Sequence, residues 1–143
     1  MNSPSYLSGA LFMKAYRLLR ANVTGCLNEF DINPTSWVML GIIREARDGI
    51  RLIEVADTMN VKAPLVTTLV QDLVAKNLIE LFPHSSDKRV KLLMVTQNGK
   101  QFMKKVETSM DLSLRNVLQG VHAEELAAFK TVLEAIVSNS NEV

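Results

Sequence analysis

The sequence predicts an α+β fold, mostly helical, on three observations. Long stretches with apolar residues at helical spacing stand at both ends of the chain, over about residues 4–30 and from Thr96 onward. Between them, two shorter helical stretches follow one another across a tight turn at Asn60. Two apolar runs come next, Leu78-Ile79-Glu80-Leu81-Phe82 and Val90-Lys91-Leu92-Leu93-Met94-Val95, around the charged tip Ser85-Ser86-Asp87-Lys88-Arg89. Helix, short helix, helix and hairpin is the order of a winged helix-turn-helix, here with long N- and C-terminal helices. Such a unit puts its last helix in the DNA major groove and the hairpin beside it.

The first helix has Leu7, Leu11, Leu18, Val23, Leu27 and Phe30 on one or two faces, with Ser3-Pro4 as its start. At about 25 residues it is nearly 40 Å long, too long for the small core behind it to bury. Asn33-Pro34 starts the second helix, with a stripe of Trp37, Leu40, Ile43 and Ile42, and Asp48-Gly49 breaks it. Ile50-Arg51-Leu52 reads as a short strand. Residues 54–59 read as a short helix with Val55 and Ala56 inward and Asn60 as a left-handed turn.

Ala63-Pro64 starts the next helix, since proline costs nothing in a first turn. Leu65 or Val66, then Leu69, Val70 and Leu73, make its inward face, and Ala63, Pro64, Thr67, Thr68 and Gln71 its outward face. Asn77 ends it. In the hairpin, Leu78, Glu80 and Phe82 point one way and Ile79 and Leu81 the other. Thr96 caps a long helix with Phe102, Val106, Met110, Leu114 and Val117 in register, stopped by Gly120. His122 to Glu125 opens a last helix, with acids at the favoured end of the dipole and a stripe of Leu126, Phe129, Leu133, Ile136 and Val137. The expected organisation is one domain over 1–143, with dimerisation helices at 1–32 and 100–143 around a winged unit at 33–99. Leu7, Leu11, Leu126, Phe129, Leu133 and Ile136 are the expected dimer residues, because surplus apolar surface on terminal helices suits a two-fold interface.

Composition narrows the function. A 48% hydrophobic content supplies a core, and net charge +1 means that any nucleic-acid binding rests on local charge placement. No apolar run reaches the length of a membrane span, and the single cysteine, Cys26, suits a reducing compartment. A cytoplasmic protein is expected. The two histidines, His84 and His122, belong to no cluster with metal spacing, and no phosphate-binding glycine loop or nucleophile elbow occurs. Neither enzyme activity, metal nor cofactor is expected.

The groove-facing side chains would be Thr67, Thr68 and Gln71, flanked by Ala63 and Pro64. Glutamine pairs with adenine, and a threonine methyl touches thymine. Lys62, Thr35 and Ser36 stand at helix starts, where phosphates bind. Arg89 suits a narrow, A·T-rich minor groove. Asp87 would hold the wing by pairing with Arg89 or a backbone donor, and Lys88 and Lys91 add phosphate attraction. From residue 49 to 95, six bases face five acids, so moderate affinity is expected.

Four segments carry a family resemblance. They are Ile32-Asn33-Pro34-Thr35-Ser36-Trp37-Val38-Met39-Leu40, Glu54-Val55-Ala56, Asp87-Lys88-Arg89 and Val95-Thr96-Gln97-Asn98-Gly99. In this order and spacing the chain resembles the MarR family of bacterial transcription regulators, over nearly its whole length and most strongly from Ile32 to Gly99. The matching family features are a Leu-Thr opening with a following aromatic and leucine, Glu-Leu-Ala, Asp-x-Arg, and Leu-Thr-x-x-Gly. The chain departs from the family at Thr67-Thr68, where Thr-Arg is common, at Asn77-Leu78-Ile79 for Gly-Leu-Val, and at Leu81, where arginine is common. It also has Arg51 and Leu52 near the cap of the short helix. The resemblance implies a winged-helix homodimer on double-stranded DNA, acting as a repressor on a palindromic operator. It also implies an aromatic or anionic effector held between dimer helices and winged unit. Met13, Tyr16, Arg17, Trp37, Met39 and Leu40 would line that site, or are ordinary core. The competing reading is a protein-interaction dimer that has lost DNA binding, favoured by Thr68 and Leu81.

Overall fold

The computed structural model describes residues 9–140 of the chain. The elements are α1 (Ala10–Glu29), α2 (Pro34–Glu45), β1 (Ile50–Arg51), α3 (Leu52–Met59), α4 (Ala63–Ala75), β2 (Ile79–Pro83), β3 (Lys91–Val95), α5 (Gln97–Val117) and α6 (Ala123–Ser140). Ser3, Pro4 and Leu7 lie outside the described residues. The chain divides into two compact units, Met1–Asp111 and Leu112–Val143, each described by itself below. The sequence reading puts a boundary at 99/100 instead. Gly99, Met103 and Val106 on the first turns of α5 are buried, which is why the winged unit extends into that helix.

Short-range chemistry sets the helix starts. The Asn33 side chain accepts the Ser36 N–H at 2.8 Å, and Pro34 occupies the first turn of α2. The Thr96 hydroxyl accepts the Gly99 N–H at 2.8 Å and donates to the Asn77 carbonyl at 2.7 Å, which caps α5 and fastens it to the end of α4. Arg51, at the cap of α3, offers no acceptor. There the Glu54 carboxylate reaches back to the Arg51 N–H at 2.9 Å and to its guanidinium, which holds the Glu54 pKa below its ordinary value. The short helix therefore begins at Leu52, two residues before the expected Glu54, and Leu52 leaves the strand.

One device ends three helices. Asp31, Asn60 and Asn77 all have φ between 54° and 58°, the left-handed region that short polar side chains tolerate. After each, the next N–H reaches back across the last turn: Ile32 to the Leu27 carbonyl, Val61 to Ala56 and Leu78 to Leu73. The residue after the turn is apolar each time. Ile32 and Leu78 are buried, and Val61 packs against the core.

The sheet is antiparallel in the order β1-β3-β2, with Ile79 opposite Val95, Leu81 opposite Leu93 and Ile50 opposite Leu93. Ile79, Leu93 and Val95 share the buried face. Leu78 does not alternate with Ile79 as expected. It precedes β2, is still bonded into the end of α4, and is buried beside it. The core joins Leu27, Leu40, Ile43, Val55, Leu73 and Met103 to these strands. Gly99 completes it, because any side chain there would collide with the Leu78 carbonyl oxygen. No helix of the described residues is long and apolar enough to cross a membrane.

In the unit Leu112–Val143, α6 buries none of its residues. Leu126, Phe129, Val132, Leu133, Ile136 and Val137 are between 37% and 60% exposed. His122 is tied by its N–H to the Glu125 carboxylate at 2.8 Å, which sets the start of the helix.

Candidate nucleic-acid interface

Helix α4 has two chemically distinct sides. Val66, Leu69, Val70 and Leu73 recur at i, i+3, i+4 and i+7, and all are buried. Pro64, Thr67, Thr68 and Gln71 are exposed on the opposite side, and Ala63 is half-buried. Both threonine hydroxyls donate to their own helix, Thr67 Oγ1 to the Ala63 carbonyl at 3.1 Å and Thr68 Oγ1 to the Pro64 carbonyl at 3.2 Å. Val66, not Leu65, fills the inward position that the sequence leaves open. Leu65 is 45% exposed. The buried set is complete without it, and that spacing is the signal that could have put Leu65 outside.

The end of α4 is anchored. Lys76 Nζ donates to the Asp31 carbonyl at 2.6 Å and lies 3.2 Å from the Asp72 carboxylate, so its charge is spent on the α1–α2 corner. The N-terminal half, preceded by the exposed Lys62, is unencumbered.

The wing tip is built around Asp87. Its carboxylate accepts the Arg89 N–H at 3.0 Å, and both Arg89 Nε at 3.2 Å and Nη2 at 3.3 Å. The guanidinium beside it, then the Arg89 N–H, hold the Asp87 pKa below its ordinary value, and the charge of His84 adds to this. The Arg89 side chain is nonetheless 92% exposed. At the base of the tip, His84 Nδ1 accepts the Ser86 N–H at 3.1 Å, and the Ser86 hydroxyl lies 2.9 Å away. Lys88 and Lys91 are exposed.

Other predicted residues fall elsewhere. Thr35 is exposed, but Ser36 is 1% exposed and its hydroxyl is buried without a hydrogen-bond partner, so its side chain does not present itself to a phosphate. The reason is helical spacing: Ser36 lies on the same stripe as Leu40 and Ile43. The six effector-site residues are not brought to one opening either. Met39 and Leu40 are sealed in the core, Trp37 is packed against it, and Met13, Tyr16 and Arg17 are exposed on α1. A cleft of about 310 Å³ lies instead among Phe30, Lys76, Leu78, Phe102 and Lys105, and contains none of the six. Of the expected dimer residues that are described, Leu11, Leu126, Phe129, Leu133 and Ile136 are all exposed on the single chain. Cys26 is buried, with its sulfur 3.5 Å from the Ser109 hydroxyl.

Comparison with known proteins agrees with this geometry. The MarR family model matches residues 32–91, which run from the start of α2 through the wing. Among solved structures, a MarR-family transcriptional regulator from a Rhodococcus species is similar over 95% of this chain and 96% of its own, at 19% identity and a TM-score of 0.78. MepR, a transcription regulator of the Staphylococcus aureus multidrug efflux pump MepA, matches over 96% and 98%, at 22% identity and 0.74. A mutant of MarR from E. coli, complexed with operator DNA, matches over 94% and 99%, at 19% identity and 0.71. These likenesses establish the fold over its whole described length. With the family match across residues 32–91, the chain is similar to the MarR family of winged-helix transcription regulators over its winged unit.

Proposed function

We propose that the protein acts in the cytoplasm as a homodimeric repressor, placing two copies of α4 in successive major grooves of a palindromic operator. The observation that carries this reading is the division of α4 between a fully buried inner stripe and an exposed outer face of Pro64, Thr67, Thr68 and Gln71. An exposed Arg89 on the wing beside it adds a minor-groove contact. The homodimer is supported by apolar side chains that the single chain leaves exposed, Leu11 on α1 and Phe129 and Ile136 on α6. In a two-fold dimer the half-sites would lie about 34 Å apart, one turn of DNA. Lys62, Thr35, Lys88 and Lys91 serve as phosphate contacts, and Asp87 keeps the tip in shape. Release by a small aromatic or anionic effector completes the reading, with Arg17, exposed on α1, as its carboxylate partner.

The test is binding of the full chain to duplexes selected from a random pool, measured across salt concentrations. Arg89→Ala is expected to weaken binding and to lower the slope of log K against log salt by about one phosphate contact. An unchanged slope removes Arg89 from the contacts. If no duplex binds at low salt, the DNA-binding reading fails and a protein-interaction dimer takes its place.

A further inference from the structure

We infer that α4 reads its half-site chiefly through the 5-methyl groups of thymines, touched by Pro64, Leu65 and Thr68, with Gln71 supplying the amide for an adjoining adenine. This inference rests on the DNA-binding reading above and specifies the DNA that satisfies it.

Hydrogen-bond accounting carries the argument. Guanine shows two acceptors, N7 and O6, to the major groove, so reading it requires a donor from the protein. The outer face of α4 has almost none. Thr67 and Thr68 have already given their hydroxyl protons to the Ala63 and Pro64 carbonyls. What they turn outward is a methyl group and oxygen lone pairs. The helix contains no arginine. Lys62, before its first turn, is the phosphate contact proposed above, and Lys76, at its end, is held by the Asp31 carbonyl and the Asp72 carboxylate. Gln71 is the one amide donor on this face among the described residues.

Position adds to chemistry. Recognition helices bring their N-terminal residues to base edges. In α4 that half exposes the Pro64 ring, the Leu65 side chain at 45% and Thr68 one turn on. A lone exposed leucine is ordinary. Here it extends an apolar strip along the groove-facing side, and the thymine methyl is the apolar group that the major groove offers.

The experiment uses half-sites selected by the full chain from random duplexes, then remade with deoxyuridine for thymidine, which removes only the methyl. Binding is expected to weaken about fourfold for each methyl lost from the α4 contact, the worth of one buried methylene-sized group. Thr68→Val keeps the methyl and drops the hydroxyl, and should retain the discrimination between thymidine and deoxyuridine. Thr68→Ser and Leu65→Ala should bind more weakly and lose part of the discrimination between thymidine and deoxyuridine. Melting curves of these surface variants should match the parent and so separate reading from folding. Equal affinity for the two duplexes overturns the inference, as does a guanine fixed under α4 in the selected sites, or loss of binding in Thr68→Val but not in Thr68→Ser. In each of those outcomes DNA still binds and the broader reading stands. Failure to select any duplex removes both.

Discussion

Helices α4 and α6 are both amphipathic and end very differently. Four apolar residues of α4 are buried within the winged unit, and its polar face meets solvent. On α6, Leu126, Phe129, Leu133 and Ile136 keep a helical stripe, yet no residue is buried. A pattern of the same kind therefore reports two states. One stripe is already used by its own chain. The other is apolar surface that the single chain leaves to water, the feature on which the proposed dimer rests. For proteins of this kind, periodicity tells which face will be covered but not by what.

Substitutions can break that contrast, and the largest effect belongs to the winged unit. Leu73→Ala removes a fully buried side chain and should destabilise the unit by about 2–5 kcal/mol. The equivalent change on α6, Leu133→Ala, should leave the stability of the dissociated subunit nearly unchanged. Denaturant melts at subunit concentrations below dissociation measure both. Equal losses would erase the distinction. Gly99→Ala belongs with Leu73→Ala, since the new methyl meets the Leu78 carbonyl and overpacking of this kind costs about 1–3 kcal/mol.

A second variant sharpens the comparison from the other side. Placing charges in the α6 stripe, Phe129→Asp with Ile136→Asp, should convert a dimer into a monomer in sedimentation, with the circular dichroism of the winged unit retained. A dimer that survives both charges would take α6 out of the interface.

The smallest effect lies at the wing. The Asp87 pKa is held down by Arg89, so the pairing is present above the ordinary carboxylate value of 3.8 and is lost as pH falls through the lowered value. In a carboxyl-carbon NMR titration, Asp87 should titrate below 3.8, and Arg89→Ala should bring it back up toward that value. The absence of any upward move would mean that the ion pair does not persist in solution.

Much of this was legible one residue at a time. Asn33-Pro34, Asn60 and Thr96 act within a few residues of themselves, by an acceptor for a free N–H or a tolerance of positive φ, and each does what its local chemistry predicts. The left-handed turn at Asp31 is not legible in the sequence, because nothing near it marks a stop except the proline beyond. Ser36, expected outward, and Leu65, one of two residues the sequence allows inward, take their places for a different reason. A residue's polarity argued for one side of its helix in each case, and its position on the wheel set the other. Of the residues expected around an effector, Met39 and Leu40 belong to the packed core, the alternative that the sequence leaves open, while Arg17 stays exposed on α1.

The order of amino acids by itself determined where helices start and stop, which stripe of each is apolar, and the tip chemistry of Asp87 and Arg89, because these depend on neighbours within about a turn. Only the tertiary structure decided that Lys76 is held by the Asp31 carbonyl and that Gly99 lies against Leu78. Those outcomes depend on surfaces brought together from distant segments, where close packing leaves room for one arrangement and excludes the alternatives.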